Sequence, residues 1–114
     1  MQKRILFKNM DHSQPLEDHA QKKMERIINF LLKEKPPIFI DLMLEPSKVH
    51  AHYKVELIIK TAQYDRVVHH EGPDMYESLD RVTDTMYRKL HDDKQRLVDD
   101  RKEIGRHDEF KKQR

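Results

Sequence analysis

Apolar and polar residues alternate along the middle of the chain with the period of two that is typical of β-strands. The clearest run covers residues 49–60, where mainly polar side chains separate an apolar set: Val49, Ala51, Tyr53, Val55, Leu57 and Ile59. Shorter runs of the same kind cover 4–9, 38–45 and 64–71. The pattern therefore predicts four strands, each with a face that can be buried.

Two longer stretches place apolar residues at steps of three and four, which is helical spacing. The first predicted helix follows Ser13, a residue suited to the N-cap, and ends near Glu34 because Pro36 and Pro37 prevent its continuation. Its apolar stripe consists of Leu16, Ala20, Met24, Ile27 and Leu31. The second has Asp74 at its N-cap or in its first turn, and its stripe consists of Met75, Leu79, Val82, Met86, Leu90 and Leu97.

The predicted order is strand, helix, three strands, helix, which indicates an α+β fold with a four-stranded sheet. Short turns at 46–48 and 61–63 should join the last three strands into an antiparallel meander, with both helices packed on the apolar face of the sheet. A chain of 114 residues suits one domain. We assign it to residues 1–98 and expect 99–114 to be a charged, disordered tail.

Composition narrows the classes of function. Hydrophobic residues make up 36% of the chain and charged residues 39%, while the net charge is only +2, so a nucleic-acid partner would need locally concentrated positive charge. The absence of cysteine excludes disulfides and thiolate metal sites. Charges interrupt the N-terminal segment early, and no later stretch is apolar enough to span a bilayer, so we expect a soluble cytoplasmic protein.

Basic residues lie off the apolar stripes of both predicted helices. They are Lys22, Lys23 and Arg26 on the first helix and, on the second, two pairs spaced by seven, Arg81 with Arg88 and Lys89 with Arg96. Residues seven apart share a helix face, so adjacent helices could combine these side chains into a patch suited to a phosphate backbone. The alternative is an ordinary solvated surface with ion pairs such as Glu77 with Arg81 and Asp84 with Arg88.

Histidines form a second candidate site, on two adjacent predicted strands. His50 and His52 would share a face, and His69 and His70 would point to opposite faces, so up to three imidazoles could meet around Zn²⁺, Ni²⁺ or Cu²⁺. No carboxylate motif or helical histidine pair supports such a site. We therefore favour solvent-facing histidines that contact RNA or are simply solvated.

Residue types used in catalysis are present, but not in an arrangement that catalysis needs. Ser13, Ser47 and Ser78 fall in a cap, a turn and a helix interior, and none has a base evident in the sequence. Gly72 and Gly105 form no phosphate-binding loop. We expect neither enzyme activity nor a cofactor or metal.

One local run is more specific than these patterns. It reads Glu71-Gly72-Pro73-Asp74-Met75-Tyr76-Glu77-Ser78-Leu79-Asp80. This run resembles a signature of the hibernation-promoting factor and ribosome-associated inhibitor A family. The signature is glycine, any residue, aspartate, methionine and tyrosine, followed by two small residues, an aliphatic residue and aspartate. The match continues along the second helix through Asp84, Arg88, Leu90, Lys94, Arg96 and Leu97. With the order of elements, the resemblance covers roughly residues 3–98.

The resemblance implies a domain similar in shape to double-stranded RNA-binding folds. It also implies a short-form protein, monomeric when free, that binds the small ribosomal subunit between head and body. There it would cover the sites of messenger RNA and transfer RNA, stop translation by occupancy and protect idle ribosomes. The ribosomal RNA-binding residues that it implies are Lys23, Arg26, Arg81, Arg88, Lys89, Lys94 and Arg96, beside which we include Lys22.

The chain also departs from the family pattern. Asp92 and Asp93 stand where many relatives continue the basic run, which should weaken the local positive field. The second, dimerising domain of long-form members is replaced by the mixed tail 99–114, as in the inhibitor branch. Two other functions stay open: a general duplex RNA-binding module, and a metal-binding or protein-interaction domain built on the histidines.

Overall fold

The elements of the computed structural model follow the predicted order. The structure describes residues 1–48 and 51–112, with side chains described as far as residue 100. The six elements are β1 (Gln2–Phe7), α1 (Gln14–Leu31), β2 (Phe39–Pro46), β3 (Tyr53–Lys60), β4 (Asp65–Gly72) and α2 (Met75–Lys112). The predicted α+β fold is confirmed.

The four strands form one mixed sheet in the order β1-β2-β3-β4. The predicted meander is confirmed, because β2 pairs antiparallel with β3, and β3 antiparallel with β4. β1 pairs parallel with β2, from Gln2 opposite Phe39 to Phe7 opposite Leu44. A parallel pair needs a crossover, and α1 provides it.

The core lies between the inner face of the sheet and the two helices. The predicted stripe of α1 is entirely buried, as is that of α2 as far as Leu90, while Leu97 is partly buried against the same core. The sheet contributes the alternate residues that the periodicity indicated: Ile40, Leu42, Leu44, Val55, Leu57, Ile59 and Val68. Both helices therefore cover one face, and the other face of the sheet is open.

Several element boundaries differ from the prediction, most of them by only one or two residues. α1 ends at Leu31 rather than near Glu34, because the chain turns tightly there, with the Leu32 and Glu34 amides donating to the Asn29 and Leu31 carbonyls. β1 reaches back to Gln2 to pair with β2, and it ends before Asn9, whose φ of 56° is incompatible with an extended strand.

The prediction of a strand beginning at residue 49 is wrong for its first described residues. Ala51 and His52 lie outside β3, because the Ser47 amide donates to the His52 carbonyl at 2.8 Å and closes a longer connection than the predicted turn. Val49 and His50, which were also assigned to this strand, lie outside the described residues.

The helical backbone of α2 continues to Lys112, past the point where the sequence predicts a tail. The segment contains no proline, and the Gln95 side chain donates to Asp99 one turn later at 3.1 Å, a contact that supports helix at this point. The division into a domain at 1–98 and a tail stays a prediction.

A two-pronged ion pair joins β4 to α2. Arg66 donates from Nε and Nη2 to the two carboxylate oxygens of Asp93, at 2.8 and 2.6 Å. These hydrogen bonds from Arg66 lower the pKa of Asp93 below its ordinary value, against the opposing effect of burial. The negative charge of Asp93 is therefore matched within the fold. Because Asp93 also interacts with Lys89 and Arg96, the expected weakening of the positive field stays a prediction.

Replacing Asp93 by asparagine should reduce the free energy of unfolding by about 1 kcal/mol at neutral pH, since the paired side chains are only 17% and 31% exposed and bind through two hydrogen bonds. Because the pKa is depressed in the folded state, this stabilisation is complete above about pH 4, where the unfolded chain is also ionised, and is lost as pH falls through the folded pKa. Urea denaturation from pH 7 to pH 2 measures the difference.

The matched control is Asp92→Asn, the same change at the exposed neighbouring residue. It should alter stability by less than about 0.5 kcal/mol. Equal destabilisation by the two substitutions would contradict a specific role for the Arg66–Asp93 pair.

Candidate RNA-binding surface

The two helices meet along a line of side chains that we call the interhelical seam: His19, Lys23, Arg26 and Phe30 of α1, and Tyr76, Asp80, Asp84, Tyr87, His91 and Lys94 of α2. The residues of each helix recur at steps of three and four, so they lie on one side of it, next to the buried stripe. Packing both buried stripes on the same sheet brings these two sides together.

The first half of the seam is a set of polar contacts and ion pairs between the helices. His19 Nε2 lies 2.7 Å from Asp80 Oδ1, and Lys23 Nζ lies 3.6 Å from the same oxygen. One turn further on, Arg26 Nη2 donates to Asp84 Oδ1 at 2.6 Å. The cations that α1 brings to this surface are therefore partly neutralised by carboxylates of α2.

The second half of the seam is an aromatic cluster, which comprises Phe30, Tyr64, Tyr87 and His91. The guanidinium carbon of Arg26 lies 4.7 Å from the centre of the Tyr87 ring, and Lys94 Nζ lies 5.6 Å from the centre of the Phe30 ring. A cation thus sits over an aromatic ring on each side of the cluster, within the range of a cation–π contact.

The structure brings some of the predicted RNA-binding residues together and separates others. Lys23, Arg26 and Lys94 lie in the seam, and Arg88 lines the same depression as Arg26 and Tyr87. Lys22 is exposed on α1 beside them.

The remaining predicted residues lie elsewhere around α2. Lys89 and Arg96 help to lower the pKa of Asp93 by electrostatic attraction. They lie on the side of the helix that faces β4. Arg81 pairs with Glu77 at 2.9 Å and lines a depression next to the end of β4. The expected basic surface is therefore divided. Whether any of these side chains contacts RNA stays a prediction.

One of the two ion pairs expected within α2 is present. Glu77 pairs with Arg81, but Asp84 pairs with Arg26 of α1 rather than with Arg88. Asp84 thus links α2 to α1. This leaves Arg88 exposed without an ion pair among the described side chains.

Sequence analysis missed the aromatic cluster. Phe30 and Tyr87 are partly buried beside the core, and neither lies on a main apolar stripe. A signal was present, because Tyr87 and His91 are four residues apart and Arg26 and Phe30 are four apart on the other helix. Whether these two pairs face each other, however, depends on how both helices are rotated about their axes.

The candidate histidines that the structure describes do not form a metal site, although His52 and His70 line the same depression. His70 Nδ1 lies 3.1 Å from the hydroxyl of the buried Ser78, whereas His69 pairs with Glu56 in the register of β3 and β4, on the opposite face of the sheet. His50 lies outside the described residues. Among the residues that are described, no three His, Asp or Glu side chains form a group that could hold a metal ion.

No helix in the described part of the chain is both long enough and apolar enough to cross a membrane.

Comparison with known families gives one match, over most of the domain. Residues 4–98 match the family described as sigma 54 modulation protein / S30EA ribosomal protein. This range includes both sides of the seam and the run from Glu71 to Asp80. The resemblance that the run suggested is therefore confirmed. No curated protein sequence matches the chain.

Two solved structures have a similar fold. The Thermus thermophilus Protein Y N-terminal domain is 18% identical, with a TM-score of 0.64 over 79% of this chain and 96% of its own. A ribosomal subunit interface protein from Coxiella burnetii is 20% identical, with a TM-score of 0.65 over 82% of this chain and 98% of its own. At these identities, the likeness establishes the fold.

The seam carboxylates should limit binding to arbitrary RNA. We expect the double variant Asp80→Asn, Asp84→Asn to bind a short duplex RNA several-fold more tightly than the unmodified chain, because Lys23 and Arg26 lose the negative charges that neutralise them. Fluorescence anisotropy at low salt measures this, and circular dichroism checks that both proteins are folded.

The control is Asp65→Asn, Glu71→Gln, which changes the net charge equally on the exposed edge strand β4. It should leave the affinity nearly unchanged. If both double variants gained the same affinity, total charge and not the seam would govern binding.

Proposed function

The chain belongs to the sigma 54 modulation protein / S30EA ribosomal protein family, and we propose that it is a ribosome-associated hibernation factor that binds the small ribosomal subunit. It occupies the decoding channel during stress or stationary phase and blocks messenger RNA and transfer RNA there. It acts in the cytoplasm, as a monomer when free, and without catalysis. The observation that carries the proposal is the interhelical seam, where two helices of the matched region present basic and aromatic side chains on one surface.

The distribution of charge supports the helices, and not the sheet, as the RNA-binding side. On the helices Lys22, Arg88 and Lys94 are exposed and have no ion pair among the described side chains. On the open face of the sheet, by contrast, Arg4 is held by Asp41 at 2.9 Å. The lysines of this face, Lys54 and Lys60, lie among further acids on the strands: Glu45, Glu56, Asp65 and Glu71. A phosphate backbone would be attracted to the first surface and repelled by parts of the second.

The mechanism is occupancy. Cations spread over two rigid helices can grip folded RNA through its shape and phosphates, and no base sequence has to be read because the ribosome offers one defined target. A protein held in the decoding channel excludes messenger and transfer RNA by volume alone.

Reversing two exposed charges, Lys94 in the seam and Arg88 beside it, should strongly weaken this binding. In the variant Arg88→Glu, Lys94→Glu, two contacts with phosphate become repulsive, so affinity for purified small subunits should fall more than about tenfold. Each phosphate contact contributes about 0.7 to 0.9 to the slope of log affinity against log salt, so the loss of two contacts should reduce this slope by roughly 1.5. Co-sedimentation across a potassium chloride series measures both quantities.

The matched control reverses two exposed lysines away from the helices, Lys8→Glu and Lys60→Glu, at the end of β1 and on β3. The control should bind small subunits nearly as well as the unmodified chain. Binding that is lost equally in both variants, or that is indifferent to salt, would overturn the proposed surface.

Competition tests the position on the subunit. Messenger RNA and transfer RNA together should displace the chain from small subunits, and the bound chain should in turn suppress translation in a purified system, because the ligands exclude one another. A short duplex RNA at equal phosphate concentration serves as the control competitor. If duplex RNA displaces the chain as well as the natural ligands do, the chain is a general duplex RNA-binding module.

A further inference from the structure

The exposed member of the aromatic cluster is His91. Its ring centre lies 4.8 Å from that of Phe30 and 4.4 Å from that of Tyr87, at interplanar angles of 58° and 68°. The imidazole is therefore tilted against the Phe30 ring and roughly perpendicular to the Tyr87 ring, and the residue is exposed. Two neighbours thus restrict its orientation, although it lies outside the core.

Burial in the core does not account for this exposed ring. The buried residues of α2 at this level are Met86 and Leu90, whereas His91 is exposed and is not a core residue. Two cations flank the cluster, with Arg26 over Tyr87 and Lys94 over Phe30. An exposed, oriented ring between cations is a typical arrangement for binding unpaired nucleotides, because bases stack on the ring while the cations attract phosphates.

We propose that the aromatic cluster binds one unpaired RNA base, stacked on the exposed side of His91, with the adjoining phosphates held by Lys94 and Arg88. This deepens the proposed function and rests on it for the identity of the RNA, since it adds a contact with a base to contacts with the backbone. The base is one that the folded ribosomal RNA leaves outside its helices.

The surroundings of His91 favour RNA as the ligand. An anionic, planar ligand suits both the rings and the exposed cations, and Lys94 has no carboxylate partner among the described side chains. A base inside a duplex is stacked on both sides and cannot present its face to a protein. The site therefore selects unpaired nucleotides, in contrast to the phosphate contacts, which any RNA can make.

The first test separates base from backbone. The probes are an adenosine hexanucleotide and the same hexanucleotide with every base removed, which keeps the sugars and phosphates. The unmodified chain should bind the intact probe about five- to tenfold more tightly, in line with stacking of a single base. Equal affinity for the two probes, measured by titration at fixed salt, would overturn the proposal.

Variants then assign the effect to the ring. His91→Ala should reduce the preference for the intact probe to near unity, whereas His91→Phe keeps an aromatic face and should retain it. His69→Ala, on the opposite face of the sheet, is the matched control and should behave as the unmodified chain. A preference that persists in His91→Ala would assign the stacking elsewhere and refute this site.

Purified small subunits separate this proposal from the proposed function. The subunits are probed by acylation of ribose 2′-hydroxyls, which reports whether an unpaired nucleotide is held in a fixed conformation. His91→Ala should still bind, more weakly, and should leave at least one nucleotide reactive that the unmodified chain and His91→Phe protect. Binding with identical protection by all three proteins would refute the stacking site alone. Absence of subunit binding by the unmodified chain would refute the proposed function, and the hexanucleotide preference would then decide the stacking site by itself.

Discussion

The sheet has one apolar face, and covering that face is the constraint on which the rest of the structure depends. Alternate residues of the central strands, such as Leu42 and Leu57, are fully buried, so both helices must pack on the same side. Two helices on a four-stranded sheet have to lie side by side, and the residues that flank their buried stripes then meet. The interhelical seam follows from this packing.

Charge in the seam has two roles. Asp84 holds Arg26 at 2.6 Å and so fixes the guanidinium over Tyr87. Asp84 also neutralises part of the positive charge that would attract an RNA. A cation held in this way is pre-organised, at the expense of general affinity for polyanions. The net charge of +2 is consistent with a surface that depends on geometry and not on a large positive total.

The sequence predicted most of the fold because its periodicity is regular. Val55, Leu57 and Ile59 alternate with polar neighbours, and the stripe from Leu16 to Leu31 is helical, so their burial could be foreseen. The start of β3 could not, because alternation continues through Ala51 and only the hydrogen bond from Ser47 to His52 reveals the longer connection. Contacts between distant residues were also hidden: Arg26 and Asp84 are 58 positions apart, and a small rotation of either helix would separate them.

The same limit explains why charged residues alone gave an incomplete picture of the candidate site. Lys89, Lys94 and Arg96 are equivalent as basic residues in the sequence of α2. In the structure Lys94 faces α1, whereas Lys89 and Arg96 lie beside β4, where they lower the pKa of Asp93. A rigid RNA cannot follow both sides of one helix closely, so the seam and the β4 side would meet different parts of an RNA target. Rotation of α2, fixed by the burial of Leu79, Met86 and Leu90, therefore determines which cations can act together.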